Sequence, residues 1–170
     1  MWSFKKFLFG ACAGAVAAFS AGAFAQNVDA VTADELQAAL EAAGLGPVTM
    51  LEDAGTGNPV AHGRAGENTF FVRALDCSGT PAACETLMFF ANFELGRAAT
   101  ANDFRIADNF RDGQVFGRAY VLEDKGQVGV DYVIELGGGV SKEHLSQNIS
   151  RWADVISEFI DKFRAGLGES

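Results

Sequence analysis

Residues 114–145, QVFGRAYVLEDKGQVGVDYVIELGGGVSKEHL, decide the fold, because a strand, a turn, a second strand, a glycine run and a helix start follow one another within them. Val115–Leu122 and Gln127–Leu136 are rich in β-branched and aromatic residues. In the second, Val128, Val130, Tyr132, Ile134 and Leu136 fall on alternate positions, so one face of that strand is apolar. Between them, Glu123-Asp124-Lys125-Gly126 puts glycine where a three-residue hairpin loop needs a positive φ. This loop predicts Glu123 opposite Gln127. The pairs Phe116/Ile134, Arg118/Tyr132, Tyr120/Val130 and Leu122/Val128 then share the core face, with Gly117, Ala119 and Asp131 on the other. A tighter two-residue turn would slip the register by one and set Arg118 opposite Asp131, so the partner of Arg118 distinguishes the two. Beyond the hairpin, Gly137, Gly138 and Gly139 end the ladder and allow a sharp strand-to-helix turn. Ser141 is placed to cap a helix whose apolar stripe runs through Leu145, Ile149, Trp152, Ile156, Phe159 or Ile160, and Phe163.

The 170 residues suit one domain, and an apolar fraction of 49% is ample for a core. Residues 1–25 stand apart. Lys5 and Lys6 precede an apolar run from Phe7 to about Gly22, and Ala23-Phe24-Ala25 supplies the small residues of a cleavage site, the pattern of a secretory signal peptide. A retained membrane helix fits less well, because the segment is short and no stop-transfer charges follow it. A lipoprotein site at Cys12 fits poorly too, since Phe9-Gly10-Ala11 is a weak lipobox. The expected division is therefore 1–25 signal peptide, 26–31 short leader and 32–167 one domain, and the expected location is the periplasm. Cleavage removes both lysines and leaves 11 basic against 22 acidic residues, so nucleic acid is not an expected partner.

Cleavage also leaves two cysteines, Cys77 and Cys84. In an oxidising compartment this pair reads as a disulfide across a loop between strands, stabilising by ~2.5 kcal/mol through loop closure. A redox site or a metal site are the alternatives, but redox pairs are usually spaced by two, and His62 and His144 do not supply the further ligands.

Along the remaining chain, Thr32 and Glu35 form a capping box for a first helix that carries Leu36, Leu40 and Ala43 and ends at Gly44. Residues 47–68, broken by four glycines and two prolines, read as one or two weak edge strands. Thr69–Cys77 and Glu85–Leu95 are stronger strands, the second with Leu87, Phe89, Ala91, Phe93 and Leu95 on one face and Met88 and Phe90 on the other. A second face that is partly apolar implies cover by another element or by a partner. Thr100 and Asp103 cap a further helix through Phe104, Ala107 and Phe110, stopping near Gly113. Strands in consecutive antiparallel sets argue for an α+β fold: an antiparallel sheet of five to six strands with helices packed on it, in the order α-β-β-β-α-β-β-α.

Phe116-Gly117-Arg118-Ala119-Tyr120, the turn ending in Gly126, and Gly138-Gly139-Val140-Ser141 leading to Trp152 resemble the YbjN family of bacterial sensory-transduction regulators, from about Thr32 to Phe163. The strand residues around Cys77 and Cys84 and from Leu87 to Phe93 fit as well. Two departures stand out: Phe110-Arg111 where the family commonly has Trp-Asn, and Val115 where it commonly has arginine. The resemblance implies a fold like that of type III secretion chaperones and carries no established catalytic residues.

The residues themselves show no convergent chemistry. The triple glycine lacks the spacing of a phosphate loop, Glu123, Asp124, Asp131 and Glu135 are too dispersed for a calcium loop, and no serine lies in a nucleophile elbow. Neither an enzyme nor a cofactor is expected. The expected function is a non-catalytic module that binds a protein or peptide, with a homodimer as one form of partner and Met88, Phe90, Arg118 and Tyr120 as interface candidates. The alternative is a sensor holding a small apolar ligand between the long C-terminal helix and the sheet. Export makes a direct prediction: intact mass of material from the periplasm gives a chain beginning at Gln26, with no free thiol under denaturing, non-reducing conditions.

Overall fold

The computed structural model describes residues 27–168. The expected signal peptide, with its cleavage site and Cys12, lies outside these residues. Each helix begins where the capping chemistry placed it. In α1 (Ala33–Ala42) the Thr32 hydroxyl accepts from the Glu35 amide while Glu35 Oε2 accepts from the Thr32 amide at 2.9 Å. Before α2 (Ala101–Gly113), the Thr100 amide donates to Asp103 Oδ2 at 2.7 Å. Ser141 Oγ accepts from the His144 amide at the start of α3 (Lys142–Leu167).

The strands are β1 (Asn27–Val28), β2 (Val31–Thr32), β3 (Thr49–Glu52), β4 (Pro59–Ala65), β5 (Asn68–Ser78), β6 (Ala83–Glu94), β7 (Arg118–Leu122), β8 (Gln127–Glu135) and β9 (Val140–Ser141). The main sheet runs β3-β4-β5-β6-β8-β7 with β2 added beside β6, every pair antiparallel, and β1 pairs with β9. The α+β class holds, but this sheet has seven strands where five to six were expected. Residues 47–68 form both β3 and β4, the larger of the two numbers expected there, and the strand beyond six is β2, at the end of the expected leader. Asn27↔Ser141 and Val31↔Cys84 hold the described part of that leader, 27–31. Strands of two residues are too short to show alternation.

The hairpin register also differs from the preferred reading. Arg118 lies opposite Asp131, Ala119 opposite Val130 and Tyr120 opposite Gly129. Glu123–Lys125 wind into a 3-10 turn and Gly126 closes it at φ 60°, so all four residues are loop and Leu122 pairs with Gln127. Slipping by one turns the whole of β7 over. Ala119 enters the core fully buried, while Arg118 and Tyr120 move to the opposite face. Phe116 leaves the ladder at Gly117, whose φ is +85° and where a Cβ would lie 2.7 Å from Val155 Cγ1. Its ring instead meets Tyr132 edge-on and carries the Arg151 guanidinium at 4.0 Å.

One face of the sheet is covered. Phe70, Val72 and Ala74 of β5, Leu87, Phe89 and Ala91 of β6, and Val128, Val130 and Ile134 of β8 are buried there. Leu36 and Leu40 of α1, Ile106 and Phe110 of α2, and Ile149, Trp152, Ile156, Phe159 and Phe163 of α3 close over them. On α2 the inward residues are Asp103, Ile106, Ala107 and Phe110, and the expected Phe104 is 39% exposed. Asp103 replaces it inside because it bonds the loop below: Arg97 donates to both of its oxygens at 2.7 and 2.8 Å. The Cys77–Cys84 disulfide joins opposed residues of β5 and β6.

The Arg97 guanidinium, outweighing burial, holds the Asp103 carboxyl well below the usual aspartate range. The folded state therefore keeps Asp103 ionised where the unfolded chain, titrating near 3.8, takes up a proton. Its contribution to stability is present above that value and lost as pH falls further. Asp103→Ala is expected to cost about 3 kcal/mol at pH 7, the low end for a broken buried pair because half-exposed Arg97 regains water. The gap in melting temperature from wild type should narrow between pH 4 and pH 2.

Candidate functional site

Among the described residues no helix lies over the side chains on the other face of the sheet. Cross-strand register sets His62, Phe71, Phe90, Asp131 and Arg118 in one row across β4, β5, β6, β8 and β7. Their rings stack in sequence, His62 on Phe71 at 4.7 Å between centroids and Phe71 on Phe90 at 5.5 Å. Arg118 closes the row on Asp131, Nε to Oδ1 at 3.1 Å and Nη2 to Oδ2 at 2.6 Å. The adjacent row is Leu51, Val60, Arg73, Met88 and Val133, with Leu51 46% and Val133 50% exposed. Arg73 reaches back over the Phe90 ring at 5.4 Å.

The β3–β4 loop borders this surface. Asp53 Oδ1 accepts from the Gly55 and Thr56 amides at 3.0 and 3.1 Å, and these bonds lower its proton affinity. The ordered loop brings Asp53 to 3.9 Å from Arg73 and leaves a groove of about 310 Å³ with Leu51, Val60, Phe71 and Phe90 on its walls. Tyr120 marks the other border. Its ring lies over Gly129, where a Cβ would be 2.5 Å from both Tyr120 Cζ and Asn92 Oδ1, and its hydroxyl donates to Asn92 at 2.6 Å. Burial, aided by the Asp131 charge, pushes the phenol up to about 12. Tyr120 is therefore a neutral donor at physiological pH.

All four interface candidates, Met88, Phe90, Arg118 and Tyr120, thus lie on one uncovered face. Sequence reasoning missed His62, Phe71 and Val133 beside them. The signal was present in β5, where Phe71, Arg73 and Leu75 alternate with the core residues Phe70, Val72 and Ala74. Gly137–Gly139 form the expected turn, with Gly138 and Gly139 at φ +84° and +90°, and Gly139 leaves room for Asn27 of β1. Among the described residues no three His, Cys, Asp or Glu are grouped to hold a metal ion, and no helix is long and apolar enough to cross a membrane.

A second concavity of about 670 Å³ lies between the C-terminal half of α3 and the sheet, walled by Phe93, Leu95, Phe159, Ile160 and Leu167. It is where the alternative reading expected a small ligand.

Residues 32–165 match the YbjN family, described as "putative bacterial sensory transduction regulator". The chain belongs to this family. A solved structure, that of YbjN from E. coli, described as "a putative transcription regulator", is similar with a TM-score of 0.51 at 16% sequence identity, over 78% of this chain and 93% of that one. At that identity the likeness is one of fold. None of the curated proteins compared matches the chain.

The open face of this YbjN domain depends on Gly129 in β8, since any side chain there displaces Tyr120 or Asn92. Gly129→Ala is expected to lower stability by about 1–3 kcal/mol, the usual cost of overpacking. In a background with both Tyr120→Ala and Asn92→Ala the same change should cost much less, which a mutant cycle of denaturant midpoints measures.

Proposed function

We propose that this protein is a non-catalytic regulatory module of the periplasm that holds a protein or peptide partner on the open face of its sheet. The observation that carries the reading is the pair of cross-strand rows running through His62, Phe71 and Phe90 and through Leu51, Val60, Met88 and Val133. Aromatic and aliphatic side chains left partly in water on a rigid sheet gain about 25 cal/mol per Å² when a partner covers them. The rim supplies orientation. Arg118 is largely exposed while its partner Asp131 is buried, so the guanidinium is fixed in place with donors facing solvent. Tyr120 and Asn92 add a fixed polar pair at one end, and Arg73 with Asp53 at the other.

Location in the periplasm is supported by the signal-peptide pattern of residues 1–25 and by a pair of cysteines bonded to each other. The acidic charge balance makes nucleic acid an unfavourable partner.

The test compares proteins captured from periplasmic extract by wild type and by Met88→Glu with Phe90→Glu. Both side chains are half-buried on the uncovered face, so the variant should retain its fold, checked by circular dichroism and melting. A partner captured by wild type and lost at least tenfold by the folded variant supports the interface. An unchanged set of partners removes it.

A further inference from the structure

We propose that the cleft under the C-terminal half of α3 is a binding site for a single acyl chain with a carboxylate head. The cleft arises because the sheet divides there. Strands β5 and β6 are paired only as far as Phe71↔Phe90, whereas β4 stays paired with β5 to Ala65↔Asn68 and β6 with β8 to Glu94↔Gln127. Helix α3 does not close the gap, because its end is committed to α2. Gly166 lies so near Ile106 that a Cβ would be 2.6 Å from Cγ1, and the Asn102 amide donates to the Gly166 carbonyl at 3.5 Å. The resulting space of about 670 Å³ is within the range of ordinary ligand pockets, roughly 300–1,000 Å³.

Its walls select the ligand. Phe93, Leu95, Ile160 and Leu167 are packed against the core on one side and leave apolar surface in the cleft on the other. Ile160, Arg164 and Leu167 follow helical spacing along one line of α3, so Arg164 lines the cleft between two apolar residues. The other charged groups of the lining have partners: Arg97 is held by both oxygens of Asp103, and Glu94 Oε1 accepts from the Gln127 amide at 2.6 Å. Arg164 is exposed and enters no ion pair among the described residues. In a chain with twice as many acidic as basic residues after cleavage, it is a local attractor for a carboxylate beside an apolar floor. The site is separate from the open face of the sheet and does not depend on the docking reading.

The purified, delipidated protein is titrated with monomeric sodium palmitate, with hexadecanol and with butyrate, followed by calorimetry and native mass spectrometry. One palmitate per chain is expected, with butyrate at least a hundredfold weaker for want of a chain to bury. Arg164→Glu should weaken palmitate at least tenfold and leave hexadecanol and the unliganded melting temperature unchanged. Ile160→Asp with Leu167→Asp should weaken both long-chain probes, and if that variant fails to fold the Arg164 arm decides alone. Absence of palmitate binding overturns the proposal, and so does binding that Arg164→Glu leaves unchanged. Association with phosphatidylglycerol vesicles but not with monomeric palmitate also overturns it, by making the apolar rim a membrane contact.

Discussion

The packing of Trp152 against the centre of the sheet is the contact on which the other elements depend. Its indole is fully buried, edge-on to Phe70 at 6.1 Å and tilted on Phe89 at 5.7 Å, so one side chain of α3 ties together the two central strands. Among the described residues the indole nitrogen is buried without a hydrogen-bond partner. An unmade bond costs roughly 1–3 kcal/mol. Burying on the order of 200 Å² of ring contributes about 5 kcal/mol. Apolar burial therefore outweighs the orphaned donor, and the position tolerates a polar atom for the sake of the ring's size. From there the stripe continues through Ile156, Phe159 and Phe163, and Phe159 in turn meets Phe110 of α2 edge-on.

Because the three helices of the described residues contribute to a single core, these residues cover the sheet on one side and leave the other open. This asymmetry explains the pattern of polar residues on the open face. Asp131 is buried but answered by Arg118, and Asn92 is answered by Tyr120. Each polar group punctuates an apolar row and spares a strand interior from presenting a continuous sticky surface. The same groups orient whatever lies on that surface, so solubility and recognition are served by the same side chains.

Much of this architecture was legible in the sequence because the signals were local. Thr32, Thr100 and Ser141 announced the helix starts, alternation from Leu87 to Phe93 announced the central strand, and the spacing of two cysteines announced their bond. The register of the β7–β8 hairpin was not legible, because Glu123–Gly126 suits either a three- or a four-residue loop and only packing decides. Ala119 fits under the helices where Arg118 does not, and Gly129 gives Tyr120 its place. The cleft was visible only as an ambiguity between Phe159 and Ile160 in the helical stripe. In the structure Phe159 faces the core and Ile160 faces the gap, a distinction of one helical step that periodicity alone does not resolve.

The β5–β6 pair is pinned at one end and parted at the other. The Cys77–Cys84 bond lies six residues from Phe71, the last paired position, about 20 Å along the strand, and ladder pairs fill the length between them. The fork separates β3-β4-β5 from β6-β8-β7. Since the aromatic row on the uncovered face crosses from one side to the other at Phe71 and Phe90, the rung that ends the β5–β6 ladder both seats those two rings and sets where the fork begins.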